Sequence, residues 1–272
     1  TPVLGLGATF NGGRYRQGNR LRGHNMRGIY AGQRVADQLE VLITVRSHSW
    51  KPELVDSLRF DVPGVMPFLY YGRPDGYEDP KPHVPEKMRG IVEQRPLGAP
   101  MSNQTGPMHP HDIVRVALGL MKVLAASKVR HVSIQGIRPE TVYVSEAAAG
   151  LSLAGIAPRA VRVLGYQHDP PYGDLFDGHS YDAPEVPSTL ELSATSDLFS
   201  CALTLWFAFT RKHAYRVSPN DVDEWVMRAD DRGPFSGPPE LARILEPVLV
   251  ADVARRPSVE EVASQFTDLG RQ

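Results

Sequence analysis

The chain has 272 residues, of which 42% are hydrophobic and 22% are charged, and its formal net charge is -1. This length suffices for a two-lobed domain with a sizeable core, and the composition argues against a wholly disordered chain. The near-neutral charge provides no basic stripe, so we expect no nucleic-acid partner and no membrane-surface partner. No apolar run approaches the roughly 20 residues that span a bilayer.

The first half of the chain has the pattern of short strands. The pieces RYRQGNRL, RGIYAG and LEVLITV are rich in β-forming residues and are separated by glycine and polar residues. KPELVDSL, at 51–58, fits one or two helical turns, and VMPFLYYG, at 65–72, predicts another strand. Residues 72–110 contain eight prolines around the apolar patch MRGIVE, which predicts an extended joint with one short strand.

After His111 the apolar period changes to that of helices. HDIVRVALGLMKVLAAS predicts an amphipathic helix opened by Asp112, and SDLFSCALTLWFAFT is apolar all round, which indicates a buried central helix. PPELARILEPVLV and SVEEVASQFTDL predict two further helices, the last with a Ser258–Glu261 capping box. The apolar face of the first of these helices consists of Ile113, Val116, Ala117, Leu120 and Leu124.

The only cysteine, Cys201, lies in the buried-helix pattern and has no disulfide partner within the chain. We expect it to pack as a small hydrophobe in a reducing compartment, which predicts a cytoplasmic location. The chain begins at Thr1 rather than Met, so we interpret it as a segment of a longer protein, and an anchor elsewhere in that protein is compatible with this.

Several short strings occur in this order along the chain: GGRYRQGNRLRGHNMRGIYAG, VLIT, IQGIRPETV, VRVLGYQ, YDAPEV and ARRPS. Together they resemble motifs of the protein kinase family, in particular those of bacterial serine/threonine kinases. GGRYRQGNRLRGHNMRGIYAG resembles the glycine-rich loop, but Arg22, His24 and Arg27 occupy its three glycine positions. VLIT, at 41–44, resembles the strand that carries the nucleotide-binding lysine, and the lysine position is Thr44. The helix that carries the glutamate partner is shortened to 51–58, where Glu53 has no lysine to pair with.

The next two strings have also lost their reactive residues. IQGIRPETV, at 134–142, resembles the catalytic loop, with Gly136 in place of the catalytic aspartate, Arg138 in place of the lysine and Thr141 in place of the metal-binding asparagine. VRVLGYQ, at 161–167, resembles the strand before the second metal ligand, where Gly165 replaces the aspartate. Gln135 replaces the arginine that binds an activation-segment phosphate in the family.

Architectural motifs of the family are retained. YDAPEV contains the alanine-proline-glutamate motif that ends at Glu185, and ARRPS contains the arginine, Arg256, that pairs with this glutamate in the family. Asp197 occupies the position of the helix aspartate that accepts hydrogen bonds from the catalytic-loop backbone. The resemblance therefore implies an α+β, bilobal kinase-like fold, with a small β-rich lobe (1–93, truncated helix C) and a larger helical lobe (94–272).

The pattern of losses leads to our main hypothesis. Phosphoryl transfer needs two metal ligands, a lysine and an aspartate base, and all four positions here are neutral or changed. We expect a pseudokinase without a cofactor, which regulates or scaffolds bacterial signalling through protein–protein contacts. We expect the protein partner to bind three surfaces: the inactive nucleotide cleft, the helical lobe and the Pro-rich stretch 72–110.

Two other functions fit the same residues. An atypical kinase-fold enzyme would hold a metal through relocated residues such as Asp169 or Asp174 and would bind nucleotide with magnesium. A nucleotide sensor would bind ATP without turnover, through the loop cations and a hinge. The weak candidates for nucleotide contacts are Arg22, His24, Arg27, Glu93 and Arg95.

Two remaining motifs are weaker. HPH, at 109–111, has a metal-ligand spacing, but without a neighbouring cysteine or acidic cluster we interpret it as loop chemistry. The segment 168–182 is rich in aspartate, tyrosine and histidine and takes the place of an activation segment; we interpret it as a solvated loop. Tyr172, Ser180 and Tyr181 are its candidate modification sites.

Overall fold

The computed structural model describes residues 7–24, 27–47, 62–77, 88–134, 136–145, 150–153, 159–160, 181–186, 193–214 and 235–271. Only the backbone is described at 22–24, 27, 46–47, 88–89, 150 and 159–160. Within these ranges the chain forms two compact units. The first contains the described residues up to 47 and 66–95, and the second contains 62–65 and the described residues from 96 onward.

The first unit is one antiparallel sheet of six strands. The strands are β1 (Thr9–Phe10), β2 (Tyr15–His24), β3 (Arg27–Arg34), β4 (Glu40–Ser47), β5 (Phe68–Gly72) and β6 (Met88–Gln94). They are arranged in the order β1-β2-β3-β4-β6-β5. The strands predicted from RYRQGNRL, RGIYAG, LEVLITV, VMPFLYYG and MRGIVE are thereby confirmed.

This sheet curls so that its two edges meet. Phe10 in β1 forms an isolated bridge with Pro74, just beyond β5 at the opposite edge. The Asp75 N–H donates to the Thr9 carbonyl, and the Asp75 carboxylate accepts from the N–H groups of Gly12 and Gly13 in the turn after β1. Desolvation raises the pKa of Asp75, but the hydrogen bonds that its carboxylate accepts together outweigh this effect, so the pKa lies below its usual value. The sheet is therefore close to a barrel.

The interior of the curled sheet is a small aromatic and aliphatic core. In β4 the alternate residues Val41, Ile43 and Val45 face this core, as the period of two in a strand requires. Leu42 and Thr44 on the other face are also buried. Strand β4 is thus covered on both faces, which explains its nearly continuous apolar sequence. The buried members of this core are Phe10, Tyr15, Tyr30, Val41, Ile43, Val45 and Val92.

The second unit is mainly helical. Its helices in the described part of the chain are α1 (Pro110–Val129), α2 (Ala194–Thr210), α3 (Pro239–Leu245) and α4 (Val259–Leu269), with 3-10 turns at Met101–Asn103 and Val253–Arg255. Short antiparallel strands accompany them: β7 (Ala99–Pro100), β8 (Val132–Ser133), β9 (Val142–Ser145), β10 (Gly150–Leu153) and β11 (Arg159–Ala160). Strands β10, β9 and β7 form one small sheet, and β11 and β8 form another.

The helical predictions are confirmed, with two corrections. The helix predicted from PPELARILEPVLV, at 238–250, ends at Leu245 and is followed by turns. The five predicted core residues of α1 are all buried, Cys201 is buried in α2, and the Ser258–Glu261 capping box opens α4. Helix α1, however, begins at Pro110 and not at Asp112. The cap is His109, whose Nδ1 accepts the His111 N–H, and proline suits the first helical position because its missing N–H would be unsatisfied there.

The architecture is a mixed α+β fold, as the sequence predicts at that level. The assignment of the two units to the lobes of a kinase, with the boundary at 93/94, stays a prediction. The segment predicted as a truncated helix C, at 51–58, lies outside the described residues. None of the helices in the described ranges is long and apolar enough to cross a membrane.

Candidate functional site

The site begins at the loop that joins β8 to β9 in the second unit. It contains Gly136, Arg138 and Thr141, the positions at which the sequence resembles a catalytic loop. Gly136 has a φ of 75°, in the left-handed region that glycine adopts without steric cost. The backbone can therefore turn sharply here, at the place where the resemblance puts an aspartate.

The hydroxyl of Thr141 closes this loop. Its Oγ1 lies 2.7 Å from the Gly136 carbonyl oxygen, to which it donates, and it accepts the Arg138 N–H at 3.1 Å. The N–H groups of Thr141 and Val142 both donate to the Arg138 carbonyl. Thr141 is fully buried. Its hydroxyl is thus engaged by the loop backbone, in the position where the resemblance puts a metal ligand.

Arg138 is held by its own chain. Its side chain is 9% exposed, and its Nε lies 3.3 Å from a carboxylate oxygen of Glu140. The guanidinium carbon lies 5.1 Å from the centre of the Tyr181 ring, within the range of a cation–π contact. This cation is therefore directed into the fold of the second unit.

Tyr181 continues the cluster toward the end of α2. Its hydroxyl oxygen lies 2.7 Å from Nδ1 of His213, and the two rings meet edge to face. Burial raises the pKa of Tyr181 well above 10, and the charge of Glu140 raises it further, so the phenol stays protonated at neutral pH. Tyr181 is 5% exposed, which counts against the prediction that it is a modification site.

The buried carboxylate of Asp197 stabilises the start of this loop. Asp197, in the first turn of α2, accepts the Ile134 N–H at 2.7 Å and the Ser133 hydroxyl at 3.0 Å. It is only 2% exposed. The structure thus brings together the helix aspartate and the loop backbone, as the motif comparison predicts.

Glu185 and Arg256 also lie in direct contact. Two parallel hydrogen bonds of 2.7 and 2.8 Å join the guanidinium to the two carboxylate oxygens. The Arg256 side chain is fully buried, it donates further bonds to the carbonyls of Val250 and Ala251, and it lies over the Phe199 ring. The Ser196 hydroxyl donates to Glu185 at 2.8 Å. This pair joins the 181–186 segment to the loop before α4.

In the first unit, Thr44 occupies the lysine position of the motif. It lies on β4 between Ile29 of β3 and Ile91 of β6 and is 1% exposed. Its hydroxyl has no hydrogen-bond partner among the described residues. A neutral, buried side chain between two isoleucines provides no cation for a phosphate.

The remaining candidate nucleotide-binding residues of the first unit lie at or near the ends of strands. Arg22, His24 and Arg27 lie at the tip of the β2–β3 hairpin, with His24 opposite Arg27, and their side chains are outside the described set. Glu93 is a fully buried residue of β6. The N–H groups of Gln94 and Arg95 donate to the carbonyls of Pro67 and Glu40. The predicted hinge therefore has two of its donors already engaged in the sheet.

Several predicted positions lie outside the described residues: Glu53, Gln135, Gly165, Asp169, Tyr172, Asp174 and Ser180. Within the described part of the chain, no group of three or more His, Cys, Asp or Glu side chains could hold a metal ion. The His109 ring nitrogen is engaged in capping α1, which agrees with a structural interpretation of HPH.

The contacts of Arg211 are not predicted by the sequence analysis. Arg211 ends α2 in the left-handed conformation, donates to the carbonyls of Met101 and Ser102 at 3.0 Å each, and lies over the Phe207 ring. Burial lowers its pKa from the usual arginine value, although it remains a cation at neutral pH. The sequence shows only an arginine after an apolar helix. Many exposed arginines share this pattern, so it does not predict the contacts of Arg211.

No protein-family model matches the chain, and no curated protein matches it significantly. The resemblance to protein kinases therefore stays a prediction, which rests on the sequence motifs.

Proposed function

We propose that this protein is a kinase-like domain without phosphotransferase activity, which serves bacterial signalling as a regulatory or scaffolding protein-interaction module. The observation that carries the proposal is the closed loop between β8 and β9. Thr141 is engaged with Gly136 and Arg138, and Arg138 is directed toward Glu140 and Tyr181. In the described part of this loop, the Thr141 hydroxyl and the Arg138 guanidinium are thus both engaged by groups of the protein itself.

The chemistry of phosphoryl transfer supports this proposal. Such a reaction requires positioned cations and a base near the transferred group, because the protein acts mainly by orientation and charge stabilisation. In the described site, glycine, threonine and a paired arginine take the places of the base, the metal ligand and the free lysine. The loss of one preorganised electrostatic group typically raises the barrier by about 3–4 kcal/mol. With several such losses at once, we expect no usable catalytic group among the described residues of this loop.

The retained contacts support the second half of the proposal. Asp197 holds the loop backbone, and Glu185 pairs with buried Arg256. These contacts stabilise the helical unit. A chain that keeps these stabilising contacts but lacks the reactive residues is best explained by a function in binding other proteins through its surface.

The experiment that tests this proposal is a phosphotransfer assay. Purified protein is incubated with radiolabelled ATP and magnesium or manganese, alone and with a generic basic protein substrate, beside an active serine/threonine kinase. We expect no incorporation above that of a heat-denatured sample. Incorporation that requires the folded protein, scales with its concentration and survives repurification would overturn the proposal in favour of an atypical kinase-fold enzyme.

A further inference from the structure

The second unit contains a groove that the proposed function does not yet use. It runs along α1 and is bounded by residues 63–64 and by strands β9 and β10, with a volume of about 400 Å³. This volume lies within the range of roughly 300–1,000 Å³ that is typical of binding pockets. The lining residues are Pro63, Gly64, Arg115, Val116, Leu118, Gly119, Lys122, Val123, Val144 and Leu151.

Close backbone packing shapes the floor of this groove. A Cβ atom at Gly119 would lie 3.2 Å from Cβ of Leu151, and one at Gly64 would lie 2.8 Å from Cγ2 of Val123. Gly64 also has a φ of 89°, which other residues rarely adopt. These two glycines therefore let three segments approach each other and leave a short apolar floor between them.

Both charged residues that line the groove are cations. Arg115 and Lys122 are seven residues apart on α1, which corresponds to about 10.5 Å along a helix at 1.5 Å per residue. Arg115 pairs with Asp112 at 3.1 Å, but both side chains are more than a third exposed, so this pair is worth little. Lys122 is exposed and makes no hydrogen bond or ion pair with the described part of the chain.

We propose that this groove docks an acidic, apolar segment of a partner protein. A peptide in the polyproline II conformation has three residues per turn and advances about 3.1 Å per residue. Carboxylates three residues apart therefore lie on one edge of the peptide, about 9 Å apart, which is close to the distance between the two cations. One or two aliphatic side chains between them would cover Val116, Val123 and Leu151. The sign of the two cations selects an acidic segment, and the apolar floor selects against a purely polyanionic ligand.

This proposal rests on the proposed function, since it names the surface and the partner chemistry of the interaction module. It can nevertheless fail separately. Phosphotransfer reports on the loop between β8 and β9, whereas peptide binding at α1 involves none of the residues of that loop. If the protein is inactive in phosphotransfer and selects no peptide, the proposed function stands and only the proposed role of the groove is refuted.

The test begins with random short peptides displayed on phage, selected against the full chain. We expect enrichment of peptides with two acidic residues three positions apart and aliphatic residues between them. The enriched peptide is then labelled and titrated by fluorescence anisotropy. Arg115→Glu combined with Lys122→Glu should weaken binding by about tenfold or more, because each cation becomes a repulsive charge.

Matched variants separate the groove from general charge effects. Arg243→Glu with Arg255→Glu makes the same change in net charge at exposed positions that do not line the groove, and it should leave the affinity unchanged. Arg115→Lys with Lys122→Arg should retain binding, and Arg115→Ala with Lys122→Ala replaces the reversed pair should that variant unfold. Unchanged thermal midpoints show that the variants fold.

Three results would overturn the proposal. The first is the selection of no peptide, or of peptides without acidic residues. The second is equal affinity of the groove-reversed and control-reversed variants for the peptide. The third is that the protein binds phosphatidylglycerol vesicles and no peptide, with the same sensitivity to the changes at Arg115 and Lys122. The last result would assign the two cations to a membrane surface.

Discussion

Glu185→Ala is expected to destabilise the protein by about 3–5 kcal/mol, because it removes the carboxylate from a fully buried guanidinium. Arg256 keeps its bonds to the carbonyls of Val250 and Ala251, but these neutral acceptors do not neutralise its charge. The Ser196 hydroxyl also loses its acceptor. The measurement is the free energy of unfolding from a urea titration followed by circular dichroism.

The chain offers a matched control for this prediction. Lys128 and Glu260 form an ion pair with the same N–O distance of 2.7 Å, but their side chains are 52% and 58% exposed. Glu260→Ala should therefore cost less than about 1 kcal/mol, since water solvates the remaining lysine. Equal losses in the two variants would contradict the role assigned to the buried pair. Replacing both Glu185 and Arg256 by apolar residues should recover part of the loss.

Asp197→Ala is expected to have the second largest effect, about 1.5–3 kcal/mol. The carboxylate accepts the N–H of Ile134, which is fully buried, and the hydroxyl of Ser133. Without it, a buried donor loses its charged acceptor. Amide hydrogen exchange should show the loss of protection concentrated at Ile134, while the amides in the centre of α4 follow the global change only.

Two substitutions sharpen this second prediction. Asp197→Asn keeps one carbonyl acceptor and should lose less stability than Asp197→Ala. Asp252→Ala removes a carboxylate that accepts the Ala254 N–H at 3.0 Å in an exposed turn, and it should cost about 1 kcal/mol or less. A loss at Asp197 no larger than that at Asp252 would show that the loop does not depend on this contact.

Local patterns in the sequence predict most of the fold described here. Strand β4 follows from its run of β-branched residues, and the core face of α1 follows from the 3.6-residue spacing of Ile113, Val116 and Leu120. The start of α1 was missed by two residues because a histidine is an unusual cap, and its ring nitrogen replaces the expected carboxylate. Local periodicity does not contain that information.

The candidate site is less accessible to sequence analysis. The motif comparison predicts the contact of Glu185 with Arg256, but not the closure of the loop by Thr141, because a threonine hydroxyl has many backbone acceptors within reach. Tyr181 and His213 are 32 residues apart, and nothing local links them. The groove combines residues 63–64, helix α1 and two short strands, so only the tertiary packing reveals it.

The measurement that tests the central claim most directly is the thermal unfolding midpoint with and without millimolar ATP, each with magnesium and with a chelator. A ligand at about 100 times its Kd stabilises a protein by about 2.7 kcal/mol, which shifts the midpoint by several degrees at this chain length. We expect no shift in any condition, because Thr44 provides no cation and the loop from Gly136 to Thr141 is closed. A magnesium-dependent shift would contradict the account and favour an enzyme, and a shift in chelator would favour a nucleotide sensor.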